Sequence, residues 1–367
     1  MKVFVVGLRG FPNILGGIES HCENLYPLMA DDTLDIRVAR RKPYVTDSSE
    51  SVPGIEFVDI WSPKSSRLET IVHTFIAVFH AYVWRADIVH IHAIGPGLLA
   101  PLARILGMRV VITHHGADYE RQKWGRFAKT LLRAGEYHGC RWANQCIAIS
   151  RHIQNHIAEK VGAASELIPN GAKSAQIQPP SNYLAGLGLQ PKDYLLCVAR
   201  FVPEKGLHDL IAAHKQSESA LPLVIAGDAD HDSEYCRSIK AEAEASDDII
   251  LTGFISGSEL AEVFSNAKVF VLPSYHEGLP IALLEAMSFG LDPLVSDIPA
   301  HTEVALAPNC YFPVGNIEQL AAELQRKSTQ AEPDMSATTL MQRIETDFSW
   351  DVAAQKTREV YQRLKRS

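Results

Sequence analysis

"KVFVLPSYHEGLPIALLEAMSFG", residues 268–290, contains a short apolar run, a polar loop and a second apolar segment. The run 268–274 is typical of a parallel strand that is buried on both faces. Pro280 fits the first turn of the helix that follows, and Gly290 fits the C-terminal stop of that helix. The segment is therefore one strand–helix unit, from which parallel α/β sheets are built.

The same alternation of β-branched runs and helical patterns continues along nearly the whole chain. Parallel strands need crossover helices, so the pattern predicts an α/β fold with two doubly wound, Rossmann-like domains. Ligands of such sheets bind at the carboxyl ends of the strands, and we expect the two domains to face a central cleft. The predicted strands are 2–7, 87–92, 109–115 and 145–150, and then 194–200, 222–227, 248–254, 268–274 and 292–297.

The length of 367 residues exceeds the size at which a single hydrophobic core stops growing. We predict a first domain over 1–172 and a second over 173–349, joined near the segment 170–188, which is rich in Pro, Gly, Ser and Asn. The last helix, 350–367, has spare length and is predicted to pack back on the first domain.

Composition narrows the class of protein. The apolar share of 46% and charged share of 21% are ordinary for a globular chain, and no run of eighteen apolar residues occurs. The N-terminal "MKVFVVGLRGF" indicates a first strand and not a signal peptide, so we expect a cytoplasmic protein. Six cysteines without a Cys-x-x-Cys pair indicate buried reduced thiols, not a disulfide framework or a zinc site.

The net charge of −8 is divided unevenly along the chain. Residues 1–180 hold 20 Lys and Arg against 16 Asp and Glu, and the remainder holds 15 against 27. The acidic total argues against a general nucleic-acid binder, whereas the basic half suits an anionic partner.

Gly16 and Gly17 precede a helix that is predicted to begin near Ile18. Two glycines let a ligand approach the backbone closely, and the helix N-terminus offers N–H groups to an anion. A flexible turn is the alternative. No Gly-x-Gly-x-x-Gly follows the first strand, which counts against a nicotinamide dehydrogenase.

Arg200 closes the predicted strand 194–200, and Lys205 comes five residues later, directly before a glycine and the next helix. Two cations at a strand end suit a diphosphate, because Arg binds phosphate bidentately and Lys acts as a point charge. Solvated loop charges are the alternative.

Glu277 and Glu285 flank the start of the helix that follows Pro280. The helix N-terminus suits phosphate, and carboxylates beside it accept hydrogen bonds from the hydroxyls of a sugar and a ribose. A hydrolytic acid pair is one alternative, but retaining pairs stand about 5 Å apart, and this spacing gives no reason to expect that. Ordinary glutamates on a helix surface are the other alternative.

Two further patterns have alternative interpretations. Asp228, Asp230 and Asp232 form overlapping Asp-x-Asp pairs, which we interpret as a solvated acidic loop and not as a divalent-metal site. In the segment 121–141, six basic residues interleave with apolar ones, as in helices that lie on anionic membranes or bury one face on their own sheet. Its basic residues are Arg121, Lys123, Arg126, Lys129, Arg133 and Arg141, and its apolar residues are Trp124, Phe127, Leu131 and Leu132.

Taken together, Glu277-x7-Glu285, Arg200 with Lys205, and Gly16-Gly17 resemble the retaining glycosyltransferases of family four, which have the two-domain GT-B fold. The resemblance runs from "RGFPNILGGIES" to "FSWDVAAQKTREVYQRL" and includes "HHGADYERQKWGRFAKTLLRAGE", "AISRHI", "IPNGA" and "LEAMSFG". The first of these four stretches is similar to a bacterial rhamnosyltransferase-like branch that builds surface polysaccharides.

The resemblance implies a role for each candidate residue toward a nucleoside-diphosphate sugar. Glu277 would contact hydroxyls of the donor sugar, Glu285 the ribose, and Arg200 with Lys205 the diphosphate. His115, chosen over His114 because it directly precedes Gly116, would lie near the sugar. The remaining donor contacts would come from Gly16, Gly17, Gly227, Phe254, Ile255, Gly278 and Leu279.

The implied reaction is metal-independent sugar transfer in cell-envelope polysaccharide biosynthesis, without a cofactor. The acceptor would be a saccharide or lipid-linked, and peripheral contact with the inner face of an anionic membrane would then run through 121–141. The alternatives are a nucleotide-sugar epimerase or hydrolase on the same fold and a non-catalytic sugar-nucleotide binder. The sequence departs from the family at Asp292, where a small residue is usual, and we expect an effect on the loop after the helix.

Overall fold

The computed structural model describes residues 1–45, 51–63, 69–120, 125–229 and 232–366. It divides the chain into two compact units. The first unit is Met1–Asn170 together with Trp350–Ser367, and the second unit is Gly171–Ser349. Each unit has a parallel β-sheet with helices interleaved along the sequence, which confirms the predicted α/β fold with two doubly wound domains.

In the first unit, the described residues form seven strands: β1 (Lys2–Val6), β2 (Asp35–Arg41), β3 (Ile55–Ile60), β4 (Ile88–His92), β5 (Arg109–His114), β6 (Gln145–Ala148) and β7 (Glu166–Leu167). All pairs are parallel, in the order β3-β2-β1-β4-β5-β6-β7. The chain therefore begins at the centre of this sheet and winds to both edges, as in other doubly wound folds. The helices are α1 (Gly17–Met29), α2 (Glu69–Val83), α3 (Ile94–Gly97), α4 (Ala100–Ile105), α5 (Arg126–Trp142) and α6 (Arg151–His156).

The second unit has, among the described residues, six parallel strands in the order β10-β9-β8-β11-β12-β13. These strands are β8 (Leu195–Val198), β9 (Leu223–Ala226), β10 (Ile249–Gly253), β11 (Val269–Leu272), β12 (Asp292–Ser296) and β13 (Tyr311–Phe312). The helices are α7 (Asn182–Gly186), α8 (Leu207–Gln216), α9 (Glu234–Glu244), α10 (Gly257–Asn266), α11 (Ile281–Ser288), α12 (Pro299–Thr302), α13 (Ile317–Thr329) and α14 (Ala337–Asp347).

The C-terminal helix α15 (Trp350–Arg366) belongs to the first unit, where it packs against α1. Arg358 Nη2 donates a hydrogen bond to the carbonyl oxygen of Met29 at 2.7 Å, and the buried Tyr361 hydroxyl lies 2.5 Å from His90 Nδ1. Ala172 N donates to Phe348 O at 2.9 Å, so Ala172 lies with the second unit.

Two strands that the sequence did not predict, β2 and β3, carry charged residues within the strand. Arg40 and Asp59 are partners across these strands, with Arg40 Nε 2.7 Å from Asp59 Oδ1. The strands tolerate these charges because each is matched by a neighbour of opposite sign. The charged residues nevertheless interrupt the apolar runs by which parallel strands are recognised in sequence.

Asp292 is the first residue of the buried strand β12, at the start of the predicted strand 292–297. Lys327 Nζ lies 2.5 Å from Asp292 Oδ2 and 2.8 Å from Asp334 Oδ2, and its side chain is fully buried. Burial raises the pKa of Asp292, although Lys327 opposes this. The departure from the family is thus part of a buried ion pair in the core.

All six cysteines are free and buried, in keeping with the expectation of reduced thiols. Among the described residues, no helix combines the length and the apolar character that crossing a bilayer requires.

Candidate functional site

Glu277 lies in the loop between β11 and α11, and its carboxylate pairs with Lys205 from the loop after β8. Lys205 Nζ donates to Glu277 Oε1, and Ser274 Oγ donates to the same oxygen at 2.8 Å. The Lys205 and Glu277 side chains are only 15% and 11% exposed. Because β8 and β11 are neighbours, the two loops lie side by side at the carboxyl ends of the sheet.

The backbone of these two loops is also joined. Tyr275 N donates to Glu204 O at 2.9 Å. Gly206, which precedes α8, has a φ of +66°, and a Cβ added there would lie 2.3 Å from Pro273 O. A side chain has no room at this position, so the glycine lets the start of α8 lie against the end of β11. This backbone contact keeps the loops that carry Lys205 and Glu277 next to each other.

The Glu277 carboxylate is kept ionised by its surroundings. Burial alone would raise its pKa, but Lys205, His301 and the hydrogen bonds from Lys205 and Ser274 bring the pKa below its ordinary value. His301 is fully buried on α12, and its Nδ1 lies 2.8 Å from Ser296 O. Burial lowers the pKa of His301 to about 4, so the imidazole is neutral at pH 7. Sequence reasoning did not select His301, because a lone histidine on a four-residue helix carries no signal.

Glu285 lies on α11, which begins at Ile281, so Pro280 immediately precedes the helix and is not in its first turn. The Glu285 carboxylate has no hydrogen-bond partner among the described residues. Burial raises its pKa to about 7, and Lys173 opposes this only in part. Of the two glutamates, Glu277 is therefore already paired, whereas Glu285 is an uncompensated carboxyl group.

Gly278 and Leu279 connect the Glu277 loop to α11. Gly278 is half-buried, and Leu279 is 4% exposed. α11 ends at Ser288, and Gly290 follows with a φ of +68°, which is the left-handed conformation that favours glycine after a helix. The predicted C-terminal stop is confirmed.

Arg200 follows β8 by two residues and is half-buried, and Gly227 directly follows the neighbouring strand β9. Gly227 has a φ of +134°, and a Cβ there would lie 2.1 Å from Ala199 O. Gly227 N donates to Gly253 O at 2.9 Å. The ends of β8, β9 and β10 therefore meet at a backbone contact that only glycine permits.

A cavity of about 410 Å³ opens beside this contact. Phe254 and Ile255, which follow β10, are not among the described residues that line it; Phe254 is 48% exposed and Ile255 is 9% exposed. The three residues expected to contact the donor at this end of the sheet are therefore divided between a cavity beside Gly227 and a separate pair of apolar residues after β10. The cavity is lined by Phe201, Gly227, Asp228, Lys240, Ala243, Glu244, Ile249, Leu251 and Gly253.

In the first unit, Gly16 and Gly17 form the start of α1. Gly16 has a φ of +155°, and a Cβ there would lie 1.9 Å from Glu19 Oε2. A Cβ on Gly17 would meet nothing within 4 Å, so this end of the helix is open. Glu19 accepts hydrogen bonds from Arg9 N at 2.9 Å and from Arg9 Nε at 3.2 Å. This buried ion pair fixes the loop before α1, and it could not be recognised in the sequence because Arg9 and Glu19 are ten residues apart.

His115 follows β5 and contacts two other imidazoles. Its Nε2 lies 2.9 Å from His92 Nδ1, and its ring meets the His21 ring edge to face with centroids 4.7 Å apart. Burial, and then His21 and the other nearby histidines, lower the pKa of His115 well below its ordinary value. The adjacent His114 is fully buried and lies 2.8 Å from Glu136 Oε1. The half-buried His115 is therefore the more available of the two.

The acidic loop after β9 has basic partners. Asp228 Oδ1 lies 2.9 Å from Lys240 Nζ, and Asp232 Oδ2 lies 2.5 Å from Arg237 Nη1. Burial would raise the pKa of Asp228, but Lys240 and nearby hydrogen bonds lower it. Asp230 lies outside the described residues.

The described apolar residues of the basic segment lie in two different environments on α5. Leu132 packs on the buried cluster of Ile94, Ala117 and Tyr119, as a core-facing residue should. Phe127, in contrast, is 82% exposed. Arg121, Lys123 and Trp124 of this segment lie outside the described residues.

Family comparisons cover both units. Residues 16–171 match the model for the glycosyl transferase 4-like domain, and residues 185–336 match the model for glycosyl transferases group 1. The first matched segment includes Gly16, Gly17 and His115. The second matched segment includes all the candidate residues of the second unit.

Relatives align over nearly the full length. A GDP-mannose:cellobiosyl-diphosphopolyprenol alpha-mannosyltransferase of Xanthomonas campestris is 30% identical over 361 residues, covering 92% of this chain and 90% of the relative. A glycogen synthase of Mycobacterium tuberculosis is 26% identical over 415 residues, covering 100% and 95%. The fold is similar to sucrose-phosphate synthase from Thermosynechococcus elongatus, with a TM-score of 0.84, 20% identity and 99% and 98% coverage. The chain therefore belongs to the glycosyltransferases of family four, with the two-domain GT-B fold.

Proposed function

We propose that this glycosyltransferase retains anomeric configuration and transfers a sugar from a nucleoside-diphosphate sugar to a saccharide or lipid-linked acceptor in cell-envelope polysaccharide biosynthesis. One observation carries the donor assignment: the Lys205–Glu277 pair lies between the start of α8 and the loop that leads into α11. A fixed cation beside helix N-termini suits a diphosphate, and an ionised carboxylate beside it suits sugar hydroxyls. The name of the Xanthomonas relative, which specifies a GDP-mannose donor and a diphosphopolyprenol-linked acceptor, supports this class.

In the proposed reaction, the bond between the anomeric carbon and the diphosphate oxygen breaks, and the bonding electrons leave with the diphosphate. The acceptor oxygen forms the new bond on the same face of the sugar, and its proton passes to an oxygen of the leaving phosphate. Lys205 and Arg200 would stabilise the charge that develops on the leaving group, without reorganising as it forms. Glu277 would orient the sugar through its hydroxyls, with His115 as a further contact. No side chain is then required as the base.

Glu285 would accept hydrogen bonds from the ribose hydroxyls of the nucleotide. Its carboxylate has no hydrogen-bond partner in the part of the chain that the structure describes, which supports this role, because a buried carboxyl group gains most from a ligand that donates to it. Gly227 would let the nucleotide approach the backbone at the end of β9, and Gly278 and Leu279 would contribute backbone groups before α11. Gly16 and Gly17 would offer the open start of α1 to the donor phosphates.

The decisive experiment is ligand-dependent thermal stability followed by transfer. The purified chain is heated with GDP, UDP, dTDP, ADP and NAD, alongside Glu285→Ala and the exposed control Glu332→Ala. We expect selective stabilisation by one nucleoside diphosphate, lost in Glu285→Ala and kept in the control. Stabilisation by NAD alone, or by none of the five, would contradict the proposal.

The matching nucleoside-diphosphate sugar is then incubated with and without saccharide and polyprenol-linked acceptors. NMR coupling constants report the anomeric configuration of donor and product, which should agree. Inversion would overturn the retaining assignment. Conversion of the donor without any acceptor would instead support the epimerase or hydrolase alternative.

We also propose peripheral contact with an anionic membrane through α5. Phe127 is 82% exposed and is adjacent to the exposed Arg126, with the exposed Arg133 two turns further on. Basic helices with exposed apolar groups bind anionic surfaces. Flotation at low salt should recover the unsubstituted chain with anionic vesicles. Less of the Phe127→Ser variant should float with the vesicles, whereas the control variant Ile177→Ser should float to the same extent as the unsubstituted chain. No binding at low salt would refute the contact.

A further inference from the structure

Three imidazoles of the first unit converge at the carboxyl ends of β4 and β5. They belong to His21 on α1, His92 at the end of β4 and His115 after β5. One nitrogen of each ring lies within 4.8 Å of the others. His21 and His92 are 3% and 0% exposed, so these groups are inside the protein and not on a solvated surface.

The His21 ring has a free nitrogen. Its Nδ1 lies 2.8 Å from Asn170 Oδ1, which can only accept, so Nδ1 carries the proton. Its Nε2 therefore has a lone pair, and this buried atom has no hydrogen-bond partner among the described residues. A buried polar atom without a partner is costly and usually indicates a missing ligand, water or ion.

The second ring, that of His92, has a comparable arrangement. Tyr26 Oη lies 2.6 Å from His92 Nε2 and 2.9 Å from His90 Nδ1. The hydroxyl has one proton, which it can donate to His90 Nδ1 while it accepts from His92 Nε2–H. Acceptance from His92 Nε2–H leaves a lone pair on His92 Nδ1, which lies 2.9 Å from His115 Nε2.

We propose that His21, His92 and His115 form a binding site for a divalent transition-metal ion of the zinc class. Neutral imidazole is a preferred zinc ligand, and three histidines make a site with one open position. In two of the three rings, the nitrogen that would not bind the metal forms a hydrogen bond to an oxygen. His21 has this contact with Asn170, and His92 has it with Tyr26. Such contacts fix the ligating tautomer in known metal sites.

The geometry requires only small movements. Zn–N distances of about 2.0–2.1 Å in a tetrahedral site place ligand nitrogens about 3.3 Å apart. His92 Nδ1 and His115 Nε2 are 2.9 Å apart, and the candidate ligand nitrogens of the three rings all lie within 4.8 Å of one another, so small shifts of the rings reach that value. The ion would replace the proton that lies between His92 Nδ1 and His115 Nε2. That proton would move to His115 Nδ1, so binding releases no proton to solvent.

The experiment uses the purified full chain, freed of metal by chelation and titrated with Zn²⁺ in competition with a chromophoric chelator. We expect one equivalent per chain, and His21→Ala should weaken binding at least tenfold. Asn170→Ala should weaken it about 10–100-fold, as loss of an outer partner does. His80→Ala, which removes an exposed histidine on α2, should bind as the unsubstituted chain does.

Co²⁺ uptake by the unsubstituted chain gives a test that does not depend on any variant folding. Bound Co²⁺ should show the intense visible absorption of a four-coordinate site with nitrogen ligands. No uptake of either ion by the unsubstituted chain would overturn the proposal. Equal affinity of the unsubstituted chain and a folded His21→Ala variant would overturn it as well, because the ion would then bind elsewhere.

Discussion

Replacing Glu285 with glutamine should stabilise the unliganded protein and weaken its nucleotide binding. Burial raises the pKa of Glu285 from its ordinary 4.5 to about 7. Between these values the folded state holds more protons than the unfolded chain, so stability falls as pH rises from about 4.5 to about 7 and stays low above that. The difference between the two pKa values corresponds to about 3 kcal/mol at pH 8. Glutamine has the same shape and no charge, and it avoids this penalty.

The measurement is thermal unfolding of the unliganded chain at pH 8 and at pH 4.5. At about 2–4 °C per kcal/mol for a domain of this size, Glu285→Gln should raise the Tm at pH 8 by at most roughly 6–12 °C. At pH 4.5 the difference should largely vanish, because the native carboxyl group is already neutral there. The exposed control Glu332→Gln should leave Tm unchanged at both pH values.

Ligand binding should change in the opposite direction. If the Glu285 carboxylate accepts from ribose hydroxyls, its loss costs about 1.5–3 kcal/mol, or roughly 10–150-fold in Kd. Affinity of the unsubstituted chain should fall about tenfold from pH 8 to pH 6 as the carboxyl group is protonated, and the glutamine variant should lack this component. A Glu285→Gln protein that is less stable than the parent at pH 8, or binds the nucleotide equally well, would refute the reasoning.

Other substitutions test the ion pairs and the glycine contact. Lys205→Met leaves Glu277 unpaired and should cost about 1.5–3 kcal/mol in urea unfolding; adding Glu277→Gln should restore much of this stability but no transfer activity. Lys327→Met should cost about 3–5 kcal/mol by the same assay, and Asp292→Asn in addition should recover part of it, whereas equal costs for the single and double variants would contradict a charge effect. Gly227→Ala puts a Cβ 2.1 Å from a carbonyl oxygen of the preceding strand end, so it should lower both Tm and nucleotide affinity; unchanged values for both would show that the contact is not limiting.

The sequence was most informative for strands whose two faces are both buried. β1, β4, β5 and β11 are buried on both faces, so their apolar runs identified them directly. β2 and β3 were missed because their charges are satisfied by each other, which becomes visible only when the strands are paired. β7 and β13 have two residues each and are too short for any periodic pattern.

The candidate site divides in the same way. Lys205 and Glu277 were recognisable individually because each lies within five residues of the end of a predicted strand, and the order of the strands makes them neighbours. Their direct pairing, and the influence of His301 on it, depend on tertiary contacts between loops that are far apart in sequence. The three-histidine cluster was likewise hidden, since only the fold brings α1 to the ends of β4 and β5.

The return of α15 to the first unit affects the order in which the protein is made. The second unit is encoded as an insertion within the first, so the ribosome completes Gly171–Ser349 before it supplies the helix that covers α1. At about 5–20 residues per second, the nascent first unit waits roughly ten to forty seconds with that surface uncovered. During this interval the nascent chain would be a natural client for chaperones, and a premature stop near Trp350 would leave the α1 surface permanently exposed.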